Sequence, residues 1–450
     1  VDLGMLLPQF GSFFMTILAF VVALSVIVAV HEYGHYIVGR WSGIKAEVFS
    51  LGFGPVLFSR RDRHGTRWQV AALPFGGYVK FLGDSDAASG KDGAAMADLS
   101  PERLRQTMHG APLWARTATV AAGPVFNFIL SIAIFTAVMM AGGKTAEPLT
   151  VGALTPLPVE GVALREGDEI LAIAGMDLPD READEAYDDF LDALPATPLL
   201  DYTVRREGAR MSVPGPQLMP PLVGGLSPQS AAFDAGLEAG DVITAVNDRP
   251  VVAFAQLKEI VEGSNGAPLA LDVWRPGEGG GLALTLVPRR VDEPQPEGGF
   301  RTEWRIGVAG AMAFEPATVA LGPVEALGQA TAQTWAIVES SISGLYHMVT
   351  GAISACNMSG PIGIAEVSGA MASQGAQSFI WFIAVLSTAV GLLNLFPVPV
   401  LDGGHLVFYA YEAVAGRPPS ERALRVMMSV GLTLILSLML FAVFNDLFCP

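Results

Sequence analysis

The sequence predicts a polytopic α-helical membrane protein, with four transmembrane helices and two α+β domains inserted between the second and third. Three observations predict it. Hydrophobic residues make up 51% of the 450-residue chain and charged residues only 16%, against about a quarter charged in an ordinary soluble domain. Four apolar runs, near 12–38, 114–141, 378–401 and 426–446, are long enough for a hydrocarbon layer of roughly 30 Å. The stretch between the second and third runs is more polar, is punctuated by Gly and Pro, and carries a Gly-Asp-x-Ile element twice.

The first run is free of charge over residues 10–30 and ends in His31-Glu32-Tyr33-Gly34-His35. On a helix, residues four apart project about 40° from each other. Both imidazoles can therefore reach one metal, with Glu32 beside them as a general base, which is the zinc-hydrolase pattern. Ionisable groups at membrane depth cost about 2.5–3.5 kcal/mol on insertion scales and call for a partner or a function. No Lys or Arg precedes Arg40 and no small-residue cleavage pattern follows the run, so it reads as a retained span rather than a signal peptide.

Residues 49–58 and 68–82 read as short strands turning at Gly52, Gly54, Gly76 and Gly77. Residues 83–100, rich in Asp, Ala, Ser and Gly, read as a linker, with no metal role for Asp84 or Asp86. The second span contains Gly123-Pro124 and Asn127. Beyond it, Gly167-Asp168-Glu169-Ile170 and Gly240-Asp241-Val242-Ile243 mark two copies of one element. The proline-rich residues 214–221 separate them, giving domains at 148–216 and 217–291. An outer segment, 320–375, stays mildly apolar, and its residues 327–353 can form an amphipathic helix at the interface. That segment either gates access to the bundle or connects to the third span.

The third run starts near Phe379 and ends in residues 394–405, Asn-Leu-Phe-Pro-Val-Pro-Val-Leu-Asp-Gly-Gly-His. Pro397 and Pro399 break the helix, and freed backbone groups at this depth need protein or a water-filled cavity. Asp402 completes a His, His, carboxylate set with one position open for water, as catalytic zinc requires. His405, one turn on, is either a rival ligand or a group behind the ligands. The fourth run, 426–444, carries no charge.

Charge placement orients the chain. Lys and Arg number eleven in residues 39–116, thirteen in the far longer 142–375, and three in 417–425. The positive-inside tendency places the first and last of these in the cytoplasm and the middle region outside, with both termini also outside. His35 and Asp402 then share one depth. The domains at 1–145 and 376–450 are the two membrane halves. A net charge of −17 argues against nucleic acid as a partner. Cys356 and Cys449 both fall outside, where a disulfide is permitted, although nothing in the sequence fixes their separation. His64, His109 and His347 fall outside the metal site on this reading.

Three segments together carry a family resemblance: His31 to His35, Gly123-Pro124-Val125-Phe126-Asn127, and 394–404. They resemble the site-2 protease family of intramembrane zinc metalloproteases, closest to the bacterial regulator of sigma-E protease group, over nearly the whole chain. Ser359-Gly360-Pro361-Ile362-Gly363-Ile364 resembles a further segment of that family. The resemblance implies that the paired domains are PDZ-like and that the strands at 49–82 form a membrane-associated β-hairpin that re-enters the bilayer beside the zinc. It implies Zn²⁺ on His31, His35 and Asp402, with Glu32 as catalytic base. Asn394, Gly76, Gly77, Tyr78, Pro397 and Pro399 are then the expected substrate contacts, with His405 and Asn127 behind the ligands. The implied substrate is a single-pass transmembrane protein, an anti-sigma factor already shortened by a first protease, with remnant signal peptides as further candidates. The implied location is the bacterial inner membrane, with the PDZ-like pair and both termini periplasmic. The pair would read peptide C-termini, filter substrates by size, or serve only as folded spacers.

Two readings from other classes stand beside this one. A PDZ-based scaffold with a structural or absent zinc site has no use for an unligated Glu32 beside the histidines. A transporter would be expected to show internal repeats among its spans, and none is visible.

Overall fold

The computed structural model describes residues 6–84, 96–97, 99–179, 184–277, 281–295 and 299–449. Asp86 and most of the 83–100 linker thus lie outside the described residues. The chain divides into two compact units. One is Val1–Val138, Pro323–Gly351 and Ala355–Pro450; the other is Met139–Gly322 with Ala352–Ser354.

In the first unit, helix α1 (Leu6–Trp41) leads into strands β1 (Ala46–Arg61) and β2 (Arg67–Phe81), followed by α2 (Leu113–Gly142). After the second unit come α3 (Pro323–Val349), α4 (Pro361–Ser373), α5 (Ala376–Asn394), α6 (Asp402–Ala415) and α7 (Glu421–Phe448). Among the described residues, four stretches are long and apolar enough to span a membrane: Phe13–Trp41, Leu113–Gly142, Ala376–Asn394 and Glu421–Phe448. The third stops at Asn394 rather than 401, because Pro397 and Pro399 cannot continue the amide ladder. The outer segment differs too. It is two helices, α3 and α4, with α3 ending at Val349 rather than 353.

The spans pack through small and polar residues, as expected where lipid offers no hydrophobic drive between helices. Ala23 and Ile27 of α1 bury against Phe382 and Ile383 of α5. The Ser131 hydroxyl of α2 donates to the Ala384 carbonyl at 2.8 Å, and Ser387 returns a bond to the Asn127 carbonyl at 2.9 Å. At the far end of α7, Asp446 accepts the Gly360 and Ile362 N–H groups at 2.7 and 3.0 Å, which caps α4. A Cys356–Cys449 disulfide closes the same junction.

The β-hairpin is longer than its two predicted strands and folds over itself. Residues 46–51 pair with 77–81 on one side and with 67–70 on the other, and 67–70 pair in turn with 58–61. Both strands bend where Gly52, Gly54 and Gly76 take positive φ of 88°, 83° and 114°, a region that favours glycine. The bends push Phe53, Val56, Leu57 and Leu73 outward as exposed apolar side chains. Residues 77–81 are left as an edge of the sheet.

The second unit holds two copies of one α+β plan. Strands run in the order 176–177, 169–173, 199–206, 209–216 in one sheet and 249–250, 242–246, 269–274, 282–286 in the other. Each has a ten-residue helix, Asp184–Ala193 or Phe254–Gly263. The repeated Asp is structural in both. Asp168 pairs with Arg206 at 2.7 Å and Asp241 with Arg275 at 2.7 Å. Each also accepts a backbone N–H three residues upstream. Burial pushes the Asp168 carboxyl up, yet Arg206 and the Arg165 N–H outweigh it and hold it below the usual range.

The copies are nested rather than consecutive. Val308–Gly310 pairs with Val223–Leu226 of the second copy, and Phe314–Pro316 pairs with Val151–Leu154 of the first. Ile306 belongs to the second core, Ala313 and Phe314 to the first. The expected boundaries 148–216 and 217–291 therefore omit one closing strand from each copy. Pairing across such sequence distance leaves no local signature.

Candidate active site

The site begins as a row on α1. Ala19, Ala23, Ile27 and His31 are buried at intervals of four, and His35 takes the next place. This is one face of a helix. At the histidine end this row meets α2, where Gly123 supplies the space. A Cβ at Gly123 would stand 2.5 Å from Cε1 of His35 and 2.7 Å from Nε2 of His31, and would also collide with His35 Nε2. Gly34 lets the helices close further, since a Cβ there would meet the Ala122 carbonyl oxygen at 2.5 Å.

The third residue arrives on α6. Gly403 and Gly404 allow the first turn of that helix to sit against the carbonyls of Leu395, Phe396 and Val398, which aims Asp402 at the histidines. Asp402 Oδ2 lies 3.1 Å from His31 Nε2 and 3.5 Å from His35 Nε2, and the two Nε2 atoms are 3.1 Å apart. His31, His35 and Asp402 are the one group of three or more metal-capable side chains that converges among the described residues.

These atoms fit zinc. Tetrahedral ligands at 2.0–2.1 Å stand about 3.3 Å from one another, close to all three separations. Asp402 Oδ2 is buried and has no hydrogen-bond partner among the described residues, a costly state for a carboxylate oxygen unless a cation meets it. The rings are also held as a ligand role demands. His35 Nδ1 lies 2.8 Å from the Thr119 carbonyl, so Nδ1 carries the proton and Nε2 is bare. The Asn127 amide nitrogen lies 3.2 Å from His31 Nδ1 and its Oδ1 is buried without a partner among the described residues. A half-turn of the amide would let that oxygen accept from Nδ1–H and free the His31 Nε2.

Around this centre is a cavity of about 260 Å³. Glu32 belongs to its wall and is not among the three converging side chains. The sheet edge forms one side, through Gly77, Tyr78, Val79 and Phe81. Gly77 is required there, because a Cβ would meet the Ser50 carbonyl oxygen at 2.8 Å and the Glu32 Cγ at 3.0 Å.

Of the other expected residues, Asn394 and His405 line the cavity, and the Asn394 amide donates to the Val390 carbonyl at 3.0 Å. Gly76, Pro397 and Pro399 do not line it. Gly76 lies under the Phe53 ring, and Pro399 packs against Gly431 of α7. Gly76 bends its strand, and the two prolines break the helix before α6. His64 pairs with Arg40 and His347 with the Ser343 carbonyl, away from the site as expected. His109 departs from expectation: it lines the cavity and faces Asp84 at 3.5 Å. Sequence reasoning missed it because the turn before α2 that carries it has no periodicity to orient a side chain.

Comparison with known proteins gives the family. The model of Peptidase family M50 matches residues 19–438. A Rhizobium meliloti (strain 1021) protein provisionally named a zinc metalloprotease is 37% identical over 437 residues, 96% of each chain. The Regulator of sigma-E protease RseP of Salmonella typhimurium (strain 14028s) is 34% identical over 465 residues, covering 97% of this chain and 99% of its own. The protein of the same name from Escherichia coli (strain K12) is 34% identical over 471 residues, with the same coverage.

Proposed function

The chain belongs to peptidase family M50 and is a metalloprotease; from that premise we propose that it hydrolyses a peptide bond within the transmembrane segment of a single-pass membrane protein. The observation that carries the proposal is the meeting of His31 and His35 on one span with Asp402 at the start of α6, beside Glu32. His31, His35 and Asp402 would hold zinc. When bound, zinc polarises the scissile carbonyl and acidifies water at its open position. Glu32 takes the proton of the attacking water and delivers it to the leaving amine.

A helical peptide bond is shielded by its own turn, so the substrate has to unwind. The sheet edge at residues 77–80, short of the Phe81 N–H that Asp84 holds, supports this, since an extended segment can add to it as a further strand. Asn394 serves substrate backbone or the developing oxyanion. Asn127 positions the His31 ring, and His405 stands behind the ligands. The exposed apolar bends of the hairpin support re-entry into the bilayer.

The two nested copies read as PDZ-like domains on the periplasmic side of a bacterial inner membrane, with the hairpin and α6 toward the cytoplasm. The name of the RseP relatives, regulator of sigma-E protease, supports a substrate that governs a sigma factor; an anti-sigma factor shortened beforehand by another protease, with remnant signal peptides as a second class, is the substrate set this reading proposes. The PDZ-like pair either reads peptide C-termini or admits only substrates whose outer domain is gone.

The test uses detergent-purified protein and a panel of single-pass membrane peptides, with and without bulky outer domains. Mass spectrometry should place the cut inside the hydrophobic segment, and chelation should abolish it with zinc restoring it. Cuts confined to flanking loops, or activity indifferent to chelator, would overturn the reading.

A further inference from the structure

A second buried carboxylate, unused by the hydrolysis above, stands behind a residue of the cavity wall, His109. Asp84 follows the end of β2, and its side chain is 0% exposed. Oδ2 accepts the Phe81 N–H at 2.9 Å, which closes the end of the sheet. Oδ1 has no hydrogen-bond partner among the described residues, and what faces it, at 3.5 Å, is Nε2 of His109.

That His109 Nε2 is itself buried, while the side chain as a whole is 28% exposed. The open side of the ring is therefore the one that carries Nδ1. His109 shares the cavity wall with Glu32, His35 and Asp402. A carboxylate behind an imidazole decides which nitrogen holds the proton and how the ring is aimed. A proton on Nε2, toward Asp84, would leave Nδ1 as a bare acceptor on a ring that lines the cavity.

An unwound membrane segment brings what such an acceptor can use. Its backbone N–H groups have lost their helical partners and have no water of the bilayer core to turn to. The sheet edge at residues 77–80 can satisfy only the groups on one side of an added strand. We propose that His109, oriented by Asp84, is a substrate-binding residue, its Nδ1 accepting a hydrogen bond from a backbone N–H of the extended substrate. The proposal rests on the protease reading, but the ligand it names is peptide backbone, not metal.

A purely structural pair would serve only to give Asp84 a partner, and binding separates the two roles. The probes are acetohydroxamate, a metal-binding head alone, and a dipeptide hydroxamate, the same head with backbone amides. Both are titrated against zinc-loaded full-length protein in detergent. His109→Leu should weaken the dipeptide hydroxamate roughly 10-fold or more, the cost of an N–H left without its acceptor, and leave acetohydroxamate within about twofold. His109→Gln, which keeps an acceptor, should recover part of the loss. The double variant Asp84→Asn with His109→Leu removes the buried charge along with its partner, and should stay weak. Restored dipeptide affinity in the double variant, or an equal loss of both probes in His109→Leu, would overturn the substrate contact. Wild type that binds neither hydroxamate would bring down the metal reading, and this inference with it.

Discussion

Alanine at Gly123 is the smallest change that should empty the site. In most helix interiors Gly→Ala stabilises, by about 0.5–1 kcal/mol. At Gly123 the new Cβ would stand 2.5 Å from His35 Cε1 and 2.7 Å from His31 Nε2. Ordinary contact needs about 3.5 Å or more, so both rings have to retreat by close to 1 Å. His35 cannot do so without losing its 2.8 Å contact with the Thr119 carbonyl, which lies on the same helix as Gly123. A misplacement of about 1 Å near a reacting centre costs on the order of 100-fold, and a three-ligand site with two displaced ligands should also lose metal. The control is Gly344→Ala in α3, where a Cβ has nothing within 4 Å. Zinc per protein by plasma mass spectrometry and cleavage of a membrane peptide are the assays. Gly123→Ala should fall well below one zinc and lose at least 100-fold in activity, while Gly344→Ala matches wild type. Full zinc and full activity in Gly123→Ala would refute the reasoning.

Three other outcomes follow from the same geometry. Arg116 of α2 meets Glu412 of α6 through two bonds of 3.0 and 2.6 Å and lies over the Tyr409 ring. Because Asp402 is also on α6, Arg116→Glu or Glu412→Arg alone should destabilise by about 2 kcal/mol, below the ~3–5 of a fully buried pair, and lower zinc affinity; the double swap should regain part of both. For Asp168, held below the unfolded value of 3.8, the stabilisation is present above about pH 4 and fades as pH falls through the lower folded value. Protection factors for hydrogen exchange in residues 150–216 should fall on acidification in that range, and Asp168→Asn should flatten the trend. Thiol titration of denatured protein should find none before reduction and two after, since Cys356 and Cys449 are bridged. Loss of the bridge, which closes a separation of 93 residues, should cost up to about 4.6 kcal/mol by loop entropy.

What the sequence reveals depends on how locally each feature is encoded. The His31–His35 pair is visible because helical geometry alone puts both rings on one face. Asp402 is visible because two prolines and two glycines around it mark a helix break and restart, and only its meeting with the histidines needs the fold. Asn127 stands out as a polar residue in an apolar run, although not as the neighbour of His31 Nδ1. Gly123 is legible as a small residue in a span, but its purpose depends on the separation of α1 and α2. The closing strands at 308–310 and 314–316 are three residues each and pair across about 80 and 160 residues, too short and too distant for any periodicity to declare. The fold-over of the hairpin follows from positive φ at Gly52, Gly54 and Gly76, which the sequence permits without requiring. His109 needed the structure outright, because its meaning lies in Asp84, 25 residues earlier, across a segment that read as linker.

The most direct test of the account is the Glu32→Gln variant, with zinc content and cleavage measured on the same preparations beside wild type. Zinc should be equal in both, with a cut within the hydrophobic segment by wild type and no detectable cut by the variant. Substantial cleavage by the variant would contradict Glu32 as the base, and loss of zinc along with activity would make Glu32 part of the metal's hold rather than its chemistry.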